Sequence, residues 1–221
     1  ASMPDVPRVA LCIAGELRDH IESVHSDLVR MIRSWPMRVD VYIDTWSLGM
    51  ANTSATPWLR NRRRANLVVN ESFAFWSSLY DTEASSLVHL RVEHAPLNSS
   101  YSLHGLTMPS WLVQASERRH GFGGTLPNLW KHYSSARSIL EHEIQRGNYA
   151  LVVKMRPDGH FWPAAAPGID WAVKRQWCSS CTDRVQLLLS NVKSDASSQV
   201  SDKYAVGTSA AMQYYLSAWT H

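Results

Sequence analysis

The chain has 221 residues, of which 45% are hydrophobic and 19% charged; this is enough apolar material for one buried core and excludes a disordered chain. A formal net charge of +3 is too mild for a nucleic-acid binder, and the one dense basic run, Arg60-Asn61-Arg62-Arg63-Arg64, has few basic neighbours. No stretch nears 18 consecutive apolar residues, so no transmembrane segment is expected, and three cysteines are too few for a disulfide scaffold.

Ala1-Ser2 ahead of Met3 reads as a cloning scar. Residues 1–7 are expected to be a flexible end of a single domain spanning 1–221. Residues 8 to 14, Arg-Val-Ala-Leu-Cys-Ile-Ala, form a continuous apolar run ended by Gly15, the pattern of a strand buried on both faces. Ile21, Val24, Leu28, Ile32 and Trp35 then recur at helical spacing until Pro36. A second buried strand, Val39 to Asp44, follows closely, which predicts a right-handed parallel βαβ unit.

Residues 47 to 65 are polar and turn-rich, 67 to 80 are expected to be helical, and Leu87 to Val92 reads as a strand. Residues 96 to 125 lack a clear period, and Gly121-Phe-Gly-Gly124 reads as hinge material. The strongest helical pattern runs from about Asn128 to Arg146, with Leu129, Tyr133, Ala136, Leu140 and Ile144 on one face and Gly147 as the stop. Strands are expected at Tyr149 to Met155, Val185 to Leu189 and Tyr204 to Gly207, and a closing helix from Ser209 to Trp219. The whole reads as an α/β fold with a mostly parallel, Rossmann-like sheet flanked by helices.

In such sheets ligands bind beyond the carboxyl ends of the strands. Three segments qualify: Gly15 to Asp19, Asp44 to Trp46, and Arg156 to His160. Gly15 lets backbone approach a ligand, and Arg18, at the mouth of the next helix, can hold a phosphate. In the third segment Asp158 and His160 offer oxygen and nitrogen to a divalent cation, and Lys154 and Arg156 offer charge to phosphate oxygens. Mn2+ suits that mixed ligand pair better than Ca2+. The alternative is a structural Arg156 to Asp158 ion pair with His160 packed under Trp162. Neither Gly-x-Gly-x-x-Gly nor a P-loop stands after a strand, which argues against a dehydrogenase or a kinase. Cys178-Ser-Ser-Cys181 has no second pair and reads as incidental. Sequons at Asn52, Asn70 and Asn98 matter only in a secretory lumen, and a cytoplasmic location is favoured over one.

Four segments together, Val9 to Arg18, Val39 to Trp46, Tyr149 to Asp158 and Ser201 to Gly207, resemble small GT-A-type glycosyltransferases of large algal viruses and bacterial surface-polysaccharide loci. The resemblance implies a nucleotide-diphosphate sugar donor, UDP-linked, and a glycan or glycoprotein acceptor. The donor contacts expected from the strand-end positions are Gly15, Glu16, Arg18, Asp44, Lys154 and Arg156, and the expected site for Mn2+ or Mg2+ is Asp158 with His160. Asp158 matches the terminal acid of the family's Asp-x-Asp motif, but Arg156 stands where its first Asp would be, so either His160 completes the coordination or Arg156 and Lys154 take over part of the cation's work. Asp202 is the expected catalytic base, because the family carries an acid in that region. Trp46, Trp162, Trp171 and Trp177 are candidate sugar-stacking rings. Two other readings are a non-catalytic sugar- or nucleotide-binding module and a nucleotidyltransferase.

Overall fold

The structure, a computed structural model, describes residues 7–15, 17, 21–47, 68–93, 102–103, 106–107, 126–157, 187–190 and 201–217. In chain order its elements are β1 (Arg8–Gly15), α1 (Ile21–Ile32), β2 (Arg38–Trp46), α2 (Phe73–Tyr80), β3 (Ser85–Glu93), β4 (Ser102–Leu103) and β5 (Leu106–Thr107). They continue with α3 (Leu126–Arg146), β6 (Leu151–Met155), β7 (Leu187–Ser190), β8 (Ser201–Gly207) and α4 (Ser209–Leu216). The main sheet has the order β3-β2-β1-β6-β8-β7, and β4 pairs with β5 alone. β1, β2, β3 and β6 pair in parallel, while β8 runs antiparallel to both β6 and β7. Five strands thus share one direction, and the expected α/β class with a mostly parallel sheet is what forms. No helix among the described residues is long and apolar enough to cross a membrane.

The two faces of the sheet differ in chemistry. Val9, Leu11 and Ile13 of β1, Val39, Val41 and Ile43 of β2, and Leu151, Val153 and Met155 of β6 line one face. There they pack with Leu28 and Ile32 of α1 and Trp76 and Tyr80 of α2, in the larger apolar core. The opposite face carries the small side chains Ala10, Cys12 and Ala14 with Tyr42, Val152 and Ala205, against Ala136 and Ile139 of α3 and Met212 and Leu216 of α4. Small residues on β1 leave room there, and polar groups of the flanking strands and of α3 use it. Cys12 is fully buried, and burial pushes its thiol up to about 12, so it is an inert packing residue.

Toward the amino ends of the strands that second face is held by a hydrogen-bonded cluster. Tyr149 donates from its hydroxyl to Asp40 at 2.8 Å, its hydroxyl meets that of Tyr42 at 2.8 Å, and Arg8 reaches Asp40 at 3.3 Å. Arg8 also donates to the carbonyls of Arg146 and Gly147, both at 2.8 Å, which satisfies the open C-terminal end of α3. Gly147, at φ 88°, takes the left-handed conformation that ends the helix.

Two expected elements form differently. The helix expected over 67 to 80 begins only at Phe73, because Asn70 accepts from the Ser72 amide at 2.9 Å and Ser72 caps the helix by accepting from Phe75. Val69 instead donates to the Ser47 carbonyl at 3.0 Å. In α3 the expected inner stripe is rotated: Ile144 is 77% exposed, while Glu143 is buried. Glu143 accepts from the Tyr149 amide at 2.9 Å and from the Ser209 hydroxyl at 2.7 Å, and these bonds fix the rotation. Glu143→Ala is therefore expected to cost about 1–3 kcal/mol in urea unfolding, by stranding a buried amide, and Ile144→Lys to stay within about 0.5 kcal/mol.

His25 on α1 is buried, edge-on to Trp76 and Tyr80, and hydrogen-bonded through Nδ1 to the Tyr80 hydroxyl. Burial lowers it from its ordinary 6.5 to about 4. The folded value lies below the unfolded one, so its contribution is fully present above about pH 6.5 and fades as pH falls toward 4. Unfolding free energies at pH 7.5 and 5.0 are expected to differ less in His25→Gln than in the parent chain, by roughly 2 kcal/mol.

Candidate anion site at the carboxyl edge

The strand order turns back between β1 and β6. At such a point the connections leave in opposite directions and open a crevice above the carboxyl ends. β1 ends there at Gly15, whose φ of 126° favours glycine, and Thr45 donates to the Gly15 carbonyl at 2.8 Å, tying β1 to β2. β6 brings Lys154, fully buried, and then Arg156, partly exposed, two residues on. β8 enters from the same edge: Tyr204 pairs with Met155, so the backbone at Asp202 lies beyond the end of β6. Gly15, Lys154, Arg156 and the backbone of Asp202 thus share one edge. Glu16, Arg18, Asp158 and His160 lie outside the described residues, as do Trp162, Trp171 and Trp177.

Beneath this edge, on the α3 side, lies a group of charges. Lys131 of α3 is fully buried with its ammonium 2.7 Å from Asp44 Oδ1 and 2.7 Å from Glu93 Oε2. The same ammonium stands 4.1 Å above the centre of the Trp46 ring. Arg91 adds a second cation, bonded to Glu93 and, at 3.2 Å, to Ser134. Burial raises the Asp44 carboxyl, and Lys131 and Ser134 only partly oppose it. Burial works upward on Glu93 as well, yet Lys131 and Arg91 together outweigh it and hold that carboxyl below its ordinary range. Asp44 therefore anchors Lys131 instead of standing open to a ligand, and Trp46 is 2% exposed, a buried lid over the ion group and no platform for a sugar.

A bulge brings Glu93 into this group. Val41 pairs with Leu87 but Tyr42 with His89, so β3 carries one extra residue, Val88. In unbroken register Asp44 would face Leu90 and Trp46 would face Val92; with the bulge they face Arg91 and Glu93. The single insertion turns Leu90 and Val92 into the apolar core and His89, Arg91 and Glu93 toward α3.

On the other side of α3, His132 is buried and its Nε2 has no hydrogen-bond partner. Burial first, then the positive charges of Lys154 and Arg156, push it well below its ordinary value and keep the ring neutral. Lys131, His132, Arg91 and Glu93 were not legible as site residues. Glu93 ends a strand at the carboxyl edge and could have been found by that rule, whereas the helical apolar period conceals Lys131 and His132.

The described residues do not form a metal-binding group: no three of their His, Cys, Asp or Glu side chains come together, and the edge carboxylates Asp44 and Glu93 are both engaged by Lys131. Comparison with known proteins finds no matching family model, no similar curated protein and no similar solved structure. Lys131→Met would leave two carboxylates against one another without their shared cation. Chemical denaturation is expected to show a loss of about 3–5 kcal/mol.

Proposed function

We propose that this chain is a glycosyltransferase that moves a sugar from a UDP-linked donor to a hydroxyl of a glycan or glycoprotein. The observation that supports it best is the meeting of the Gly15 turn with Lys154 and Arg156 where the strand order reverses. There a glycine backbone can approach a diphosphate closely, and the partly exposed Arg156, with the buried charge of Lys154 behind it, can contribute positive charge. Transfer breaks the bond between the anomeric carbon and the diphosphate oxygen, so negative charge grows on the leaving group. Preorganised cations at that position lower the barrier.

Asp202, at the same edge by its backbone position, acts in this reading as the base that accepts the acceptor's hydroxyl proton. Asp158 and His160 would hold Mn2+ or Mg2+, which when bound adds charge neutralisation at the diphosphate. A second reading, a non-catalytic nucleotide- or sugar-binding module, is favoured by the commitment of Asp44 and Glu93 to Lys131.

A panel of nucleotide sugars with and without Mn2+ separates these readings. Glycosyl transfer predicts a raised melting temperature with the donor and slow release of UDP. Asp202→Asn is expected to slow turnover roughly a hundredfold or more while donor binding persists. Binding without release of nucleotide identifies the module, and release of pyrophosphate from a nucleoside triphosphate identifies a nucleotidyltransferase. If no nucleotide sugar either shifts the melting temperature or is cleaved, the glycosyltransferase reading is abandoned.

A further inference from the structure

On the face of the sheet away from α3, helices α1 and α2 leave an open groove of about 410 Å3 between them. Its α1 wall is one helical stripe, Ser26, Val29, Arg30 and Arg33, spaced three, one and three residues apart, and its α2 wall is Ser78 and Leu79. Arg33 follows the last residue of α1, yet its amide still donates to the Val29 carbonyl at 3.0 Å, which carries the helical turn on and keeps Arg33 on the stripe. His25 also lines the groove, held edge-on to Trp76 and Tyr80. This face belongs to the larger apolar core and is not the one that carries the charged group around Lys131.

The lining is mostly apolar surface, and its full charges are both positive. Burial keeps His25 neutral, and no carboxylate lines the groove. Arg30 is paired with Asp27 at 3.1 Å, whereas Arg33, exposed, has no ion pair among the described residues. An arginine at the end of a helix needs no ligand on its own account. What calls for one is its place on the wall of an apolar concavity, where a ligand can bury hydrocarbon and meet a guanidinium at once. The size of the concavity points to a small ligand. Its 410 Å3 falls in the range of small-molecule sites, about 300–1,000 Å3, while a protein partner would cover about 20–30 residues and only seven line the groove. We propose that this groove binds a small monocarboxylate with an apolar body, the body against Val29 and Leu79 and the carboxylate on the Arg33 guanidinium. A guanidinium meets both oxygens of a carboxylate in parallel hydrogen bonds. With Arg30 already balanced by Asp27, one cation answers one negative charge, which selects a monocarboxylate over a diphosphate. The site goes beyond the sugar-transfer reading and does not rest on it.

Titration of the whole chain with 2-naphthoate, followed by calorimetry and by methyl NMR, tests the assignment. The parent is expected to bind it at about 1 mM or tighter, with magnetisation passing from the naphthyl protons to the Val29 and Leu79 methyls. The neutral 2-naphthylmethanol and the variant Arg33→Gln with naphthoate are each expected to bind roughly tenfold more weakly. Ser78→Trp, at an exposed position on the α2 wall, is expected to fill the groove and abolish detectable binding. Should the tryptophan variant fail to fold, Arg33→Gln and the methyl contacts decide. Unaltered affinity in Arg33→Gln, equal binding of the alcohol, naphthyl contacts confined to other residues, or no binding of naphthoate at about 10 mM overturns the assignment. So does self-association of the parent chain that Ser78→Trp abolishes in sedimentation, because the groove would then be an interface between copies.

Discussion

A single buried ammonium organises the carboxyl edge. Lys131 is withdrawn fully from water, and an isolated charge there would be prohibitive. Its presence requires Asp44 and Glu93 within contact on two different strands and the Trp46 ring as a third wall. These partners tie α3 to β2 and β3 at the end of the sheet where a ligand would sit. At the opposite end Arg8, Asp40, Tyr149 and Glu143 tie α3 to β1, β2 and α4 by neutral and charge-assisted hydrogen bonds. α3 is therefore clamped polar at both ends and packed apolar in the middle, by Ala136 and Ile139. A helix held this way presents its side chains in fixed positions, which is what preorganised binding of an anion demands.

That arrangement divides the edge into two electrostatic regions. Over β2 and β3 the cations and carboxylates are paired with one another, although neither buried Asp44 oxygen completes a hydrogen bond. Over β6, Lys154 and Arg156 stand two residues apart where the strand order turns back. The proposed reaction uses the second region and leans on the first. The expectation that Asp44 and Trp46 touch the ligand gives way to a supporting role, because both are buried under α3.

The runs at 9–14, 39–43 and 151–155 are legible because strands buried on both faces stay mostly apolar, with Asp40 and Lys154 as the polar exceptions. The rule that ligands sit past strand ends then leads directly to Gly15 and Arg156. Periodicity places the start of α2 too early because Val68 to Ser72 mixes apolar and capping residues; the side-chain bonds of Asn70 and Ser72 decide the start, and periodicity does not register them. The buried face of α3 departs from its apolar period for a related reason. Apolar spacing favours Leu140 and Ile144, but the sheet beneath is polar at that level, so Glu143 turns inward and Ile144 outward. Lys131 and His132 were hidden because a buried cation is recognised only when its distant partners, here on strands about forty and ninety residues earlier, are known to converge.

The irregularity at Val88 has a bearing on colloidal behaviour as well as on side-chain direction. β3 forms an outer boundary of the six-stranded sheet. A regular strand in that position offers unpaired amides and carbonyls as a template on which another chain could polymerise. A kinked one, bearing His89, Arg91 and Glu93, breaks the repeat such growth would need. Among the described strands, the residue that turns Glu93 toward its cation thus also interrupts the regular repeat of this margin.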